Sequence, residues 1–225
     1  MKIKFGSFVT DGRGKIGGHV ASKNRAGSYL RTKVTPVNPQ TSFQMQRRSL
    51  FGSLAQSWSG LTQTVRDGFN NAVTEWARTD IFGDIKNPTG QTLYSRLNQS
   101  AQNAGHPAIA SVPAKLPMVD GVISAASVSI SDGEIVLTGA YTGVNARTVL
   151  YATGVVGDGI SFVKNRFRQI FTSADIDTDS IAAYNVLVAR FGVPVAGDVI
   201  WLGVRYVLPN GQQSPMQVIR VVVSA

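Results

Sequence analysis

The sequence of 225 residues contains no cysteine, which excludes disulfides, thiolate zinc sites, iron–sulfur clusters and cysteine nucleophiles. It has only two histidines, His19 and His106, which we expect in loops or at the surface, and neither belongs to an H-E-x-x-H pair. No apolar run reaches the ~18 residues of a membrane helix, and the N-terminus lacks the apolar core of a signal peptide. We therefore expect no membrane contact, no metal, no cofactor and no catalytic residues, and hence a protein that is not an enzyme.

Charged residues make up only 16% of the chain, and the net charge of +9 is distributed unevenly. Residues 1–48 contain ten Lys or Arg and one acid, Asp11, whereas the rest of the chain is neutral. A local basic block of this kind predicts contact with acidic groups on neighbouring subunits or with DNA. The candidate contact residues are Arg13, Lys15, Lys23, Arg25, Arg31, Lys33, Arg47 and Arg48.

Residues 1–36 carry the strand and turn signals of a small basic β-meander. We expect a first strand around Ile3 and Phe5, a turn at 11–14, a second strand at 16–21 and a third at 28–35. The glycines at 12–17 match G-x-G-x-x-G, but no helix pattern follows and no acid lies near position 37, so a turn is favoured over a nucleotide site. Large apolar residues are few, and assembly is therefore expected to order this segment.

Three amphipathic patterns follow and predict helices at about 39–57, 62–76 and 89–104. Asn38-Pro39 is typical of a helix start, with Asn as the N-cap and Pro in the first turn. Aromatic residues recur at core spacing along these helices, which favours packing over stacking on bases. They are Phe43, Trp58, Phe69 and Trp76.

The segment 106–117 contains three prolines and is interpreted as a linker between a domain at 1–105 and a domain at 118–225. Beyond it, turn residues separate seven apolar or alternating runs, at 119–130, 134–141, 147–153, 162–171, 184–191, 199–208 and 217–223. Seven strands predict an immunoglobulin- or fibronectin-like β-sandwich that folds alone. The predicted fold class is thus α+β, with a basic β-meander and three helices before the sandwich.

Two motifs in the C-terminal part give only weak indications of a binding site. Asp175, Asp177 and Asp179 form D-x-D-x-D, but the Gly and Glu of a calcium loop are missing, so a polar loop is favoured over a weak cation site. Lys164, Arg166 and Arg168 alternate and are expected on one face of a strand. This second basic row is open to solvent, to phosphate or to an acidic neighbour.

The run G-K-I-G-G at 14–18, S-Y-L-R-T-K at 28–33 and N-P-Q-T at 38–41, with Gln44, Arg47 and Arg48, resembles small virion proteins of tailed bacteriophages. The resemblance covers about residues 10–120 and favours the ring proteins near the portal and tail of crAss-like phages. It implies a homo-oligomeric ring in the virion, made in the host cytoplasm, with portal or tail subunits as partners. A capsid decoration protein, or a DNA-binding protein using the basic N-terminus, remains the alternative.

Overall fold

The computed structural model describes residues 1–6, 11–25, 27–117, 122–140, 145–173 and 180–225. Within these ranges the chain is a mixed α and β protein, with four α-helices and several antiparallel sheets. It divides into a first unit, Met1–Ser49 with Ala77–Asn87, and a second unit, Leu50–Trp76 with Pro88–Ala225. The D-x-D-x-D motif at 175–179 lies outside the described residues.

The first unit contains a three-stranded antiparallel sheet, in the order β1 (Gly14–Ile16), β2 (His19–Asn24) and β3 (Gly27–Thr32). β1 and β2 join at Gly17–Gly18, where Gly17 has a φ of 54° that suits a tight two-residue hairpin. The continuous second strand expected at 16–21 is therefore wrong, because the turn at 17–18 divides these residues between β1 and β2. The N-terminal segment pairs with the far edge of β3: the Leu30 N–H donates to the Met1 carbonyl at 2.8 Å.

A small hairpin completes the first unit where the sequence indicates only a loop. Its strands are β4 (Arg78–Thr79) and β5 (Ile85–Lys86). The Asp80 carboxylate closes the turn between them by accepting the N–H groups of Phe82 at 2.8 Å and Asp84 at 3.1 Å. The carboxylate thus adds to the backbone bonds of the turn, from Asp80 N–H to the Asp84 carbonyl at 2.9 Å and from Gly83 N–H to the Asp80 carbonyl at 3.1 Å, as aspartate does in many turns.

Three helices lie in the predicted regions: α1 (Ser42–Gly60), α2 (Gln63–Asn71) and α3 (Gly90–Asn103). The predicted start at Asn38-Pro39 is wrong, since Gln40 has a φ of 48° and the Thr41 hydroxyl accepts the Gln44 N–H at 3.3 Å. Residues 72–74 form a 3-10 turn that ends the second predicted helix early. The shared core of these helices, within the second unit, consists of Leu54, Phe69, Trp76, Leu93, Tyr94 and Leu97.

The rest of the second unit is mainly β-structure. A four-stranded antiparallel sheet has the order β11 (Gln217–Val222), β10 (Val199–Val207), β8 (Arg147–Ala152) and β9 (Arg168–Ser173). β6 (Val122–Ser129) and β7 (Glu134–Ala140) form a separate hairpin. Hydrogen bonds from Ser224 N–H to the Val128 carbonyl at 2.9 Å, and from Ile130 N–H to the Ser224 carbonyl at 3.2 Å, join this hairpin to the chain just after β11.

The strand predicted at 184–191 is wrong, because these residues belong to α4 (Ser180–Phe191). α4 packs on β7 and β9 and buries Ala183, Tyr184 and Leu187 in the core that the hairpin and the sheet share. The alternating basic row is wrong as well. The Arg166 N–H donates to the Val163 carbonyl at 2.9 Å in a turn, and β9 begins only at Arg168.

Residues 106–117 have no regular secondary structure, yet two side-chain amides hold them in place. On α3, Asn98 accepts the Ile109 N–H at 2.8 Å and donates to its carbonyl at 3.1 Å. After β10, Gln212 accepts the Leu116 N–H at 2.7 Å and donates to its carbonyl at 2.9 Å. We call these pairs the amide clamps. The proposed boundary at 106–117 stays a prediction that fragments can test.

The residues just after α3 contact the outer face of the four-stranded sheet. Ala104 is fully buried with Val149 and Val207 in a small apolar cluster. His106 is buried too, with its Nε2 2.9 Å from the Val207 carbonyl, so it lies in a loop, as expected, but not at the surface. Burial on both sides explains why the four-stranded sheet carries apolar residues on both faces of β10.

Candidate functional site: the surface of the first unit

The excess charge of the whole chain lies in the first unit. This unit has twelve Lys or Arg and three Asp, a net charge of +9, whereas the second unit has ten basic and ten acidic residues. All eight candidate contact residues named from the sequence belong to the first unit. The fold thus separates a strongly basic body from a neutral one, and any polyanion is attracted to the former.

The three aspartates of the first unit already have basic partners. Asp11 lies 3.7 Å from Arg13 and 3.5 Å from Lys23, measured between the charged atoms. Asp80 lies 3.4 Å from Lys2, and Asp84 lies 3.1 Å from Lys4 and 3.7 Å from Lys86. Most of these pairs are exposed, so each adds little to stability. Every carboxylate side chain of the unit is therefore already in an ion pair.

Asp80 is the most enclosed of these carboxylates, since only 4% of its side chain is exposed. Burial raises the pKa of Asp80, but the backbone N–H bonds from Phe82 and Asp84 and the nearby Lys2 ammonium outweigh burial, so its pKa lies below the usual value. Hydrogen bonds to the ionised form have this effect. Asp80 is therefore a structural anion that holds the β4–β5 turn.

The eight candidate residues fall into two groups. Arg13 and Lys23 pair with Asp11, the Arg48 guanidinium donates to the Asn38 side chain at 2.9 Å, and Arg47 lies 5.0 Å from the Phe43 ring centroid. The other four are exposed and have no ion-pair partner among the described residues of the unit. They are Lys15, Arg25, Arg31 and Lys33.

Two of the unpaired cations lie on one face of the sheet. In the strand register, Lys15 and Arg31 stand on either side of Val20, so the three side chains share a face. The next row of the same face consists of Ser22 and Tyr29, which are also direct partners. We call these five residues the basic face. Ile16 pairs with His19 and therefore lies on the opposite face.

The first unit also buries very little apolar surface. Of its described hydrophobic side chains only Ala21 is buried, at 8% exposure. Its large exposed apolar residues are Met1, Ile16, Val34, Val37, Phe43, Met45, Ile81, Phe82 and Ile85. Sequence reasoning missed the last three, although the run I-F-G-D-I at 81–85 shows an apolar loop. The number of exposed apolar side chains makes the surface of this unit a candidate interaction site.

No group of three or more His, Asp or Glu side chains that could hold a metal ion occurs in the part of the chain that the structure describes. Among the same residues, no helix combines the length and the apolar character required to cross a membrane. Comparison of the chain with known protein families, curated proteins and solved structures finds no match.

Proposed function

We propose that the chain is a non-enzymatic structural subunit of a tailed-phage virion, and that its copies form a symmetric ring in the portal–tail region. The observation that carries the proposal is the composition of the first unit's surface. Nine of its large apolar side chains are exposed, and Ala21 is its one buried hydrophobic residue among those described. The resemblance of residues 10–120 to virion proteins supplies the location, a particle assembled in the host cytoplasm.

The first unit is small and buries little apolar surface. A domain of about 60 residues is marginally stable even when it buries about 60% of the surface of its unfolded chain. The second unit has clusters of buried residues from its helices and from its strands, whereas the first unit contributes to none of them. Contacts with other copies would supply the missing burial, and a closed ring leaves no copy with an unsatisfied surface.

Charge sets a second condition on assembly. Copies that each carry a unit of net charge +9 repel one another when a ring brings them together. Acidic groups on a portal or tail subunit, on the neutral second unit of a neighbour, or on DNA would offset the repulsion. The proposal therefore includes a negatively charged partner for the first unit.

The mass of the purified chain in solution, measured by native mass spectrometry with and without other virion proteins, tests the proposal. We expect a single multiple of the 24.0 kDa chain for the wild type. Ile81→Ser with Ile85→Ser, 75% and 74% exposed, should return the chain to the monomer. The matched control is Val193→Ser with Val195→Ser in the second unit, 66% and 68% exposed, which should leave the ring intact. A wild type that stays monomeric in both settings contradicts the ring.

A capsid decoration protein is the alternative within the same class. The exposed apolar surface of the first unit would serve either role, since both need a binding partner in the particle. Labelling of intact virions with antibody against the chain separates them. Label at the neck supports the ring, and label spread over the capsid supports decoration.

The immunoglobulin-like interpretation of the C-terminal part is likewise a proposal. It is supported by the core that the β6–β7 hairpin shares with the four-stranded sheet, in which Val128, Leu137, Leu150 and Leu202 are buried. α4 takes the place of the predicted fifth strand, so the proposed sandwich is a variant with a helix in its second layer. An experimental structure in which β6 continues the sheet from β11 as one curved layer would contradict a sandwich.

A further inference from the structure

We propose that the basic face of the first unit binds the phosphate backbone of double-stranded DNA without reading its sequence. This inference names a partner for one surface and extends the proposed function without resting on it. Lys15 and Arg31 carry it, because both are exposed and neither has a carboxylate partner among the described residues of the unit. Their common face is fixed by pairing with Val20 from both sides.

The spacing of the two cations suits a duplex. Directly paired residues on adjacent antiparallel strands have Cα atoms about 4.5–5.5 Å apart, which places the Cα atoms of Lys15 and Arg31 about 10 Å apart. Duplex DNA presents one negative charge for each ~1.7 Å of its axis, so both side chains reach phosphates together. Contacts from Lys and Arg to phosphates position a duplex but carry no sequence information, and the binding is therefore independent of sequence.

The composition of the face favours DNA over an acidic protein. The centre of a protein–protein interface is depleted in charged residues and enriched in apolar ones. Here Val20 is the one aliphatic residue, and Ser22 and Tyr29 add hydroxyl groups of the kind that donate to phosphate oxygens. A single half-buried tyrosine offers no series of stacking rings, so the face suits a duplex better than a single strand.

Three of the exposed apolar residues of the first unit lie off this face. Ile16 lies on the opposite side of the sheet, and Val34 and Val37 follow β3 in the chain, outside the strands. These three apolar residues therefore do not cover Lys15 or Arg31, both of which are exposed.

The experiment measures binding of the full chain to fluorescein-labelled duplexes of about 30 bp and two unrelated sequences, by anisotropy, from about 50 to 200 mM salt. We expect equal affinity for both sequences and a steep loss with salt. Lys15→Gln with Arg31→Gln should weaken binding about tenfold and reduce the slope of log K against log salt by about 2, because each phosphate contact contributes about 0.9. Lys15→Arg with Arg31→Lys keeps both charges and should bind as the wild type does.

The matched control is Lys164→Gln with Arg166→Gln, which removes the same charge from an exposed turn of the second unit. It should change neither affinity nor slope. Equal weakening by both double variants would show attraction to net charge alone and overturn the proposal. Displacement of DNA by polyglutamate at equal charge would overturn it in favour of an acidic protein, and no wild-type binding at low salt would overturn it outright. The mass measurement on the same samples reports ring formation separately, so that DNA binding by the monomer and by the ring can be compared.

Discussion

Replacing Gly211 by alanine tests whether the turn between β10 and β11 is fixed against α3. Gly211 has a φ of +80°, and an added Cβ would lie 2.8 Å from both the Cα and the carbonyl carbon of Leu97. These are helix backbone atoms, and the Leu97 side chain is buried in the core of the helices. Moving the helix backbone or the buried Leu97 side chain would disrupt the core, so the added methyl group must displace the turn.

The size of the effect follows from two contributions. An L-residue held at positive φ costs roughly 1–2 kcal/mol. Displacing the turn breaks the Gln212 clamp on Leu116, whose two hydrogen bonds contribute about 1 kcal/mol each. The sum is a loss of about 3–4 kcal/mol in the free energy of unfolding. For a folded unit of this size that corresponds to a fall in Tm of roughly 6–16 °C.

Gly197→Ala is the matched control, because Gly197 has a φ of +92° and no atom within 4 Å of an added Cβ. The Gly197→Ala variant has the same cost of an L-residue at positive φ but no steric clash of the added Cβ. Its Tm should therefore fall by roughly 2–8 °C. Thermal unfolding followed by tryptophan fluorescence reports the right unit, since Trp58, Trp76 and Trp201 all lie in the second one. Equal shifts in the two variants would refute the contact between the turn and α3.

Three further predictions concern the two units. In the free chain, we expect fast amide exchange across the first unit by hydrogen-exchange mass spectrometry, and strong protection in the assembled particle; equal rates would mean that the unit is ordered alone. The pKa of Asp80 is lowered in the fold, so the stability it adds is present above the unfolded pKa and is lost as pH falls through the folded one; the Phe82 amide resonance should report this loss, and Asp80→Asn should abolish it. The fragment 118–225 should fold, because its main core needs no earlier residue, but should melt below the full chain, because Ala104 is missing.

α4 shows where the spacing of apolar residues predicts secondary structure and where it does not. The helices of the first half carry long amphipathic stripes, and their existence could be predicted from spacing alone. The run 184–191 is short and apolar, a pattern that fits a buried strand as well as a buried helix. Tyr184, Leu187 and Phe191 do recur at helical spacing, and Ala182 and Ala183 before them favour a helix. Packing against β7 and β9 decides the outcome, and that contact is distant in sequence.

The candidate surface could likewise be predicted only in part from the sequence. Charge can be counted along the chain, so the eight candidate contact residues of the first unit could be named from sequence. Their partners could not, because Lys2 and Lys4 meet Asp80 and Asp84 only after the chain returns through the β4–β5 hairpin. The shared face of Lys15 and Arg31 depends on the strand register, and placing the turn at 11–14 instead of Gly17–Gly18 conceals it.

The amide clamps have a mechanical consequence. Each one satisfies both polar groups of a backbone residue, as a neighbouring strand would, at Ile109 from α3 and at Leu116 from beyond β10. A proline-containing segment that is hydrogen-bonded at two such points cannot rotate freely. A force applied to the C-terminal sheet is therefore transmitted directly to α3. Residues 106–117 act as a strut, and a protease that cuts flexible connections would find no easy site between the clamps.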